Sequence, residues 1–361
     1  MTDLDLSADL LTLTRAICDV ESVSGHEAPL ADLVERALRA CPHLEVLRDG
    51  DAVVARTRLG RFRRVAIAGH LDTVPVADNL PCRVEGSGVD AVLWGRGTVD
   101  MKAGVAVQLA LAAELAEPVH DVTWVFYDHE EVAADLNGLG RIAAAHPDWL
   151  AADFAVLGEP TAGGVEGGCN GTLRAEVVVP GVAAHSARSW MGVNAVHRAG
   201  EVLRRLDEYV PATVTVDGLE YREGLNAVLI SGGTATNVIP ERCVVTVNYR
   251  FAPTRSLAEA EAHVREVMAG YDVTVVDAAA GARPGLDDPA ARGFVDAVLG
   301  ATGRAPVAKL GWTDVARFAA LGIPAVNFGP GDPLLAHTAD ERCPVAQIEQ
   351  VHAALRAWLT T

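Results

Sequence analysis

Five segments of the chain put acid or histidine side chains where chemistry on a bound ion is expected. His70 and Asp72 follow the apolar run Val65–Ala68, Glu130 and Glu131 follow Val122–Tyr127, Glu159 follows Phe154–Leu157, and His337 lies in the loop beyond Ala325–Phe328. Asp100 closes the turn Gly95-Arg96-Gly97-Thr98-Val99-Asp100, just ahead of a helical stretch. His70 and Asp72 stand two apart at a strand end, so both can point to one side, the imidazole on a metal and the carboxylate behind it fixing the tautomer. The adjacent carboxylates of Glu130 and Glu131 allow one to bind metal while the other, projecting differently, handles protons on a water. Two histidines with several acids and no cysteine form a nitrogen and oxygen donor set. That set suits zinc in a hydrolytic site better than a structural zinc finger, with manganese or cobalt as substitutes. The natural arrangement for it is a two-metal site bridged by one carboxylate, the metals about 3.5–4 Å apart.

Taken singly, each residue is ordinary: His337 a surface or core histidine, Glu159-Pro160 a helix-entry turn, Asp100 an N-cap, Glu130-Glu131 a solvated acidic pair. What favours a site is their shared position, because ligands of open α/β sheets gather outside the carboxyl ends of the strands.

The elements that must hold these residues follow from apolar periodicity. Helical stretches at Leu6–Val20, Ala28–Ala40 and Met101–Leu115 alternate with short apolar strands at Val65–Leu71, Val122–Tyr127 and Phe154–Leu157. Such strands argue for a mostly parallel α/β sheet covered on both faces. From about Gly171 the pattern becomes strand Thr172–Val179, helix Asn194–Glu208, strands Ala227–Ser231 and Arg242–Phe251, helix Ser256–Met268 and strand Val273–Val276. This β-α-β-β-α-β order predicts a ferredoxin-like α+β unit. After the turn at Gly281–Pro284, helices Pro289–Leu299, Asp314–Ala320 and Val345–Leu359 and the strand Ala325–Phe328 resume the first pattern. The expected organisation is therefore one α/β catalytic domain, residues 1–170 and 282–361, interrupted by an inserted domain, residues 171–281.

Composition narrows the function classes. A formal net charge of -18 repels phosphate backbones and argues against nucleic acid. Six separated cysteines with no C-x-x-C pair indicate neither a disulfide framework nor a thiolate zinc site. No apolar run reaches the roughly 18 residues of a membrane span, and the N-terminus lacks the features of a secretory signal. A cytoplasmic protein with no membrane partner is the expectation.

The motifs together resemble the M20 family of co-catalytic metallopeptidases and deacylases. The matching segments are Gly69-His70-Leu71-Asp72-Thr73-Val74-Pro75, Gly95 to Lys102, Glu130-Glu131, Gly158-Glu159-Pro160-Thr161, Ala184-His185-Ser186-Ala187, and His337 followed by Asp340-Glu341, in the family's order. The resemblance implies two zinc ions per subunit, one on His70, Asp100 and Glu159, the other on Asp100, Glu131 and His337. It makes Glu130 the general base and Asp72 the carboxylate behind His70. It also implies a cis Asp100–Met101 peptide and a homodimer formed through residues 171–281. His185 then reaches the partner's site, Arg250 holds a substrate carboxylate, and Asn237 and Thr313 contact the substrate.

Glu at position 159, with Gly167 to Arg174 and Gly311 to Phe318, is similar to the branch of succinyl-diaminopimelate desuccinylases and acetylornithine deacetylases, and within it to the actinobacterial desuccinylases. That branch acts on small N-acyl amino acids. Another amide hydrolase of the family, or a non-catalytic binding protein on the same fold, are the rival expectations.

Overall fold

The computed structural model describes residues 3–361, which fold as two compact units. One comprises the chain up to Gly168, Pro284–Ala308 and Thr313–Thr361; the other comprises Cys169–Arg283 and Lys309–Trp312.

The larger unit is built on an eight-stranded sheet, in spatial order Glu45–Asp49, Ala52–Arg56, Asp121–Tyr127, Arg64–His70, Phe154–Leu157, Ala325–Asn327, Glu166–Gly167 and Val307–Ala308. The central four strands run parallel. Every residue of Asp121–Tyr127 and Phe154–Leu157 is buried, which is why these strands read as unbroken apolar runs.

The sheet as a whole is mixed, with four of its seven pairings parallel. Three pairings are antiparallel, at the Glu45–Asp49 and Ala52–Arg56 hairpin, between Ala52–Arg56 and Asp121–Tyr127, and between Ala325–Asn327 and Glu166–Gly167. The first of these strands, Glu45–Asp49, is only partly buried along its whole length, and Glu166–Gly167 is two residues long. Neither carries an apolar run to announce it.

Parallel alignment places the carboxyl ends of the central strands along one edge, with His70 opposite Tyr127 and Leu157 opposite Asn327. The helix Lys102–Glu114 packs beneath that edge with ten of its thirteen residues buried. It approaches so closely that a Cβ on Gly104 would lie 2.3 Å from the carbonyl oxygen of Gly158. Any side chain there would push the helix, and Asp100 at its head, away from Glu159. Trp124, Phe126, Phe154, Phe294 and Phe328 fill the core around this helix and sheet, each contributing about 1.5–3 kcal/mol by burial.

The smaller unit has a four-stranded antiparallel sheet in the spatial order Gly224–Gly232, Arg242–Phe251, Gly171–Pro180, Asp272–Ala279. Leu173, Ala175, Val177 and Val179 alternate inward from Gly171–Pro180. Their core is shared with the helices Ala195–Asp207 and Leu257–Val267. Both helices start at strong signals, the Asn194 cap and the Ser256/Glu259 capping box.

A hairpin of Thr213–Val216 and Leu219–Arg222, absent from the sequence expectation, turns through Asp217 at φ 49 and Gly218 at φ 84. Positive φ at both central residues is the type I′ geometry that Asp-Gly favours, so the dipeptide itself was the available signal.

Candidate active site

Seven of the expected site residues come together on the larger unit. His70 ends its strand fully buried, with Nε2 3.1 Å from Asp100 Oδ1 and 4.0 Å from Glu159 Oε1. Asp100 turns its other oxygen to the opposite side, where Oδ2 lies 3.3 Å from His337 Nε2. His337 Nε2 is also 3.0 Å from Glu131 Oε1. One carboxylate thus stands between two imidazoles, each of which has a second acid beside it. The Asp100–Met101 peptide is cis.

Asp72 is fully buried and acts differently from the sequence expectation. His70 Nδ1 lies 3.0 Å from the main-chain oxygen of Asp72 and 3.5 Å from its carboxylate, so the carbonyl is the closer partner that sets the tautomer. The carboxylate instead accepts the backbone N–H groups of Glu130 and Glu131, both at 3.0 Å, and the Ser24 hydroxyl at 2.7 Å. It therefore fixes the chain that carries the paired glutamates.

Electrostatics follow from crowding. Burial alone would lower the pKa of His70, but Asp100 and Asp72 outweigh it and hold the pKa well above the ordinary value. Asp100 and Glu131 raise that of His337 to about 10. Burial opposes ionisation of Asp100, yet His337 and His70 keep its carboxyl below the usual carboxylate range. Burial pushes Glu130 well up, against the pull of His70 and with reinforcement from Glu159 and Glu131. Glu131 is raised as well, by burial and then by Asp100.

Bound metal fits these residues on two grounds. Asp72, Asp100, Glu130, Glu131 and Glu159 against two imidazoles is a surplus of negative charge that divalent cations would neutralise. Donors placed tetrahedrally at about 2.0–2.1 Å from zinc stand about 3.3 Å apart, close to the spacings around Asp100. His70, Asp100 and Glu131 each offer a ligand atom, all within 4.8 Å of one another.

The other four expected residues have contacts of their own. Thr313 is buried in the larger unit and donates its hydroxyl to Asn327 Oδ1 at 2.9 Å, so a substrate acceptor would have to compete for it. His185, Asn237 and Arg250 belong to the smaller unit. His185 is exposed and accepts the Ala187 N–H through Nδ1 at 3.1 Å, while Ser186 N–H donates to the Asn237 carbonyl at 2.9 Å. Arg250, partly buried on its strand, donates to Asn248 Oδ1 at 3.0 Å.

Sequence reasoning missed the roles of Ser24, Arg96 and Glu341. Arg96 and Glu341 form a buried ion pair at 2.7 Å across 245 residues of chain. The arginine in the Gly95 to Asp100 turn and the glutamate after His337 were the available signals, but nothing local pairs them.

Comparison with known proteins gives the family. Residues 66–361 match the model of peptidase family M20/M25/M40. A Mycobacterium tuberculosis protein provisionally named succinyl-diaminopimelate desuccinylase is 57% identical over 99% of both chains. The succinyl-diaminopimelate desuccinylase of Corynebacterium glutamicum is 50% identical over 99% of this chain and 98% of its own. Among solved structures, a Staphylococcus aureus tripeptidase matches with a TM-score of 0.80 at 18% identity, covering 99% of this chain and 98% of its own. A Bacillus subtilis dinuclear metal-binding peptidase of the M20 family matches at 0.69 and 17% identity, covering 97% of this chain and 96% of its own. No helix among the described residues is long and apolar enough to cross a membrane. The chain belongs to peptidase family M20/M25/M40.

Proposed function

We propose that this protein hydrolyses the succinyl amide of N-succinyl-LL-2,6-diaminopimelate to succinate and LL-2,6-diaminopimelate, a step of lysine and diaminopimelate biosynthesis, with two zinc ions per subunit. The observation that carries the chemistry is the Asp100 carboxylate shared between His70 and His337, with the Glu130-Glu131 pair beside it. The substrate assignment is supported by near full-length similarity to proteins that carry the desuccinylase name.

His70, Asp100 and Glu159 would hold one ion, and Asp100, Glu131 and His337 the other, with cobalt or manganese as substitutes. Bound there, the ions supply Lewis acidity and charge stabilisation to an amide carbonyl under attack. Glu130 takes a proton from the attacking water and returns it to the departing amine. Burial raises its carboxyl above the ordinary value, which favours taking up that proton. Asp72 keeps Glu130 in place through the backbone N–H it accepts.

His185, contributed by the partner subunit of a homodimer, stabilises the oxyanion. Arg250 binds a substrate carboxylate, and Asn237 and Thr313 line the pocket. The dimer forms through residues 171–281, where the edge strand Gly224–Gly232 leaves Val228, Leu229 and Ile230 more than half exposed. The protein works in the cytoplasm on a small-molecule substrate, without membrane or nucleic acid.

The test is a side-by-side assay of N-succinyl-LL-diaminopimelate, N-acetylornithine and simple dipeptides on the zinc-loaded protein. The succinyl substrate should have the highest kcat/KM. Equal or better turnover of either rival would overturn the assignment.

A further inference from the structure

The buried Arg96–Glu341 pair touches neither imidazole, yet it ties together three of the loops that carry the site. Glu341 Oε1 accepts the backbone N–H groups of Val99 at 2.9 Å and Asp100 at 3.2 Å. Its Oε2 takes the Arg96 Nη1 donor at 2.7 Å, and its own main-chain oxygen accepts the Gly95 N–H at 3.0 Å. Arg96 reaches further, donating from Nη1 to the Thr338 carbonyl at 3.2 Å and from Nε to the Pro75 carbonyl at 3.1 Å. Thr338 directly follows His337, and Pro75 closes the segment that begins at His70. Both side chains are almost wholly buried, at 4% and 1% exposure.

Burial of an ion pair is weak evidence for stability by itself, because desolvation offsets most of the attraction. Here Glu341 Oε1 and the Nη1 and Nε donors of Arg96 are spent on main chain at Val99, Asp100, Thr338 and Pro75, in the segments that carry Asp100, His337 and His70. His337 adds a reason for such a brace. It is held at φ 63, a left-handed conformation that costs a non-glycine residue about 1 kcal/mol or more, so its loop must be fixed by contacts around it.

We propose that Glu341, oriented by Arg96, is a positioning residue of the metal centre that sets the distance between the Asp100 turn and the His337 loop and thereby the affinity for the metal ion between them. This rests on the two-metal reading given above. The pair makes no contact with substrate in this role.

The experiment uses Glu341→Gln and Arg96→Lys in the full chain. Glutamine keeps the length but puts an amide NH2 where an oxygen must face either two N–H groups or a guanidinium. Lysine keeps the charge but cannot serve Glu341, Thr338 and Pro75 at once. Zn2+ and Co2+ affinities are measured by competition with a chelating dye, beside the visible spectrum of the cobalt-loaded protein, thermal unfolding and kinetics.

Both variants should unfold cooperatively and bind one equivalent as the unsubstituted protein does. They should bind the other about 10–100-fold more weakly, with an altered cobalt spectrum and a lower kcat at nearly constant KM. The change should be smaller for Arg96→Lys. Parental affinity for both equivalents with the parental cobalt spectrum, in either folded variant, would overturn the inference; if Glu341→Gln fails to fold, Arg96→Lys decides. An unsubstituted protein that bound neither ion would overturn the metal-centre reading and this inference with it.

Discussion

Asp72 offers the sharpest place to perturb the site without touching a proposed ligand or the base. Its two oxygens accept three donors, Glu130 N–H on Oδ1, and Glu131 N–H with the Ser24 hydroxyl on Oδ2. An Asp72→Asn variant keeps the shape but has one acceptor oxygen. The better orientation keeps that oxygen toward Glu131 and Ser24, which turns the amide NH2 against the Glu130 N–H at about the 3.0 Å spacing of the present bond.

A hydrogen bond to a charged acceptor contributes about 1.5–3 kcal/mol, and a buried N–H left facing a donor costs a similar amount. Moving the Glu130 backbone to relieve that clash is the cheaper response. If about 2 kcal/mol of it is lost from the transition state, kcat falls roughly 30-fold. Metal affinity should weaken as well, by about 10–100-fold, because the Asp72 carboxylate also holds the backbone of Glu131.

Steady-state hydrolysis of the succinyl substrate at saturating zinc, with metal titration of the same preparation, measures both. An Asp72→Asn variant with kcat within about twofold of the unsubstituted protein would refute the claim that Asp72 positions Glu130.

Two further predictions concern the smaller unit. His185→Ala should lower the rate by about 10²–10³-fold, and mixing it with Glu130→Gln subunits should restore some activity through hybrid dimers; no rescue on mixing would argue against a shared site. Glu223 is buried, but the Ala252 N–H, Arg255 and the Tyr249 hydroxyl outweigh that penalty and lower its pKa below the ordinary 4.5. Its contribution to stability is therefore complete above about pH 4.5 and is lost as pH falls through the depressed folded value. Urea denaturation should show Glu223→Gln less stable than the unsubstituted protein at pH 7 and nearly equal to it well below pH 4. A gap that widened on acidification would contradict the sign.

What could be read in advance depended on whether a residue's role is local. His70, Glu130, Glu131 and Glu159 were legible because each follows an apolar run, and a parallel sheet puts the ends of such runs on one edge. Pro289–Leu299 and Arg242–Phe251 were legible to the residue, since periodicity and flanking turns agree there. The edge strand Glu45–Asp49 was not, because a half-buried strand rich in charge has no apolar signature. The main-chain partner of His70 could not be distinguished from the Asp72 carboxylate, both belonging to one residue. The hydrogen bond from Thr313 to Asn327, fourteen residues on, had no local signal, and Arg96 and Glu341 are joined only by the fold. Contacts of this kind cost chain entropy to form and leave no pattern in the segments that make them.

The proposed mechanism depends most on the division of labour between Glu130 and the metal ligands. Glu130→Gln removes the base while leaving His70, Asp100, Glu131, Glu159 and His337 untouched, so one preparation can be assayed for succinyl-amide turnover and for bound zinc. Turnover should be abolished while two zinc ions per subunit remain. Substantial turnover in that variant, or loss of zinc together with activity, would contradict that division of labour.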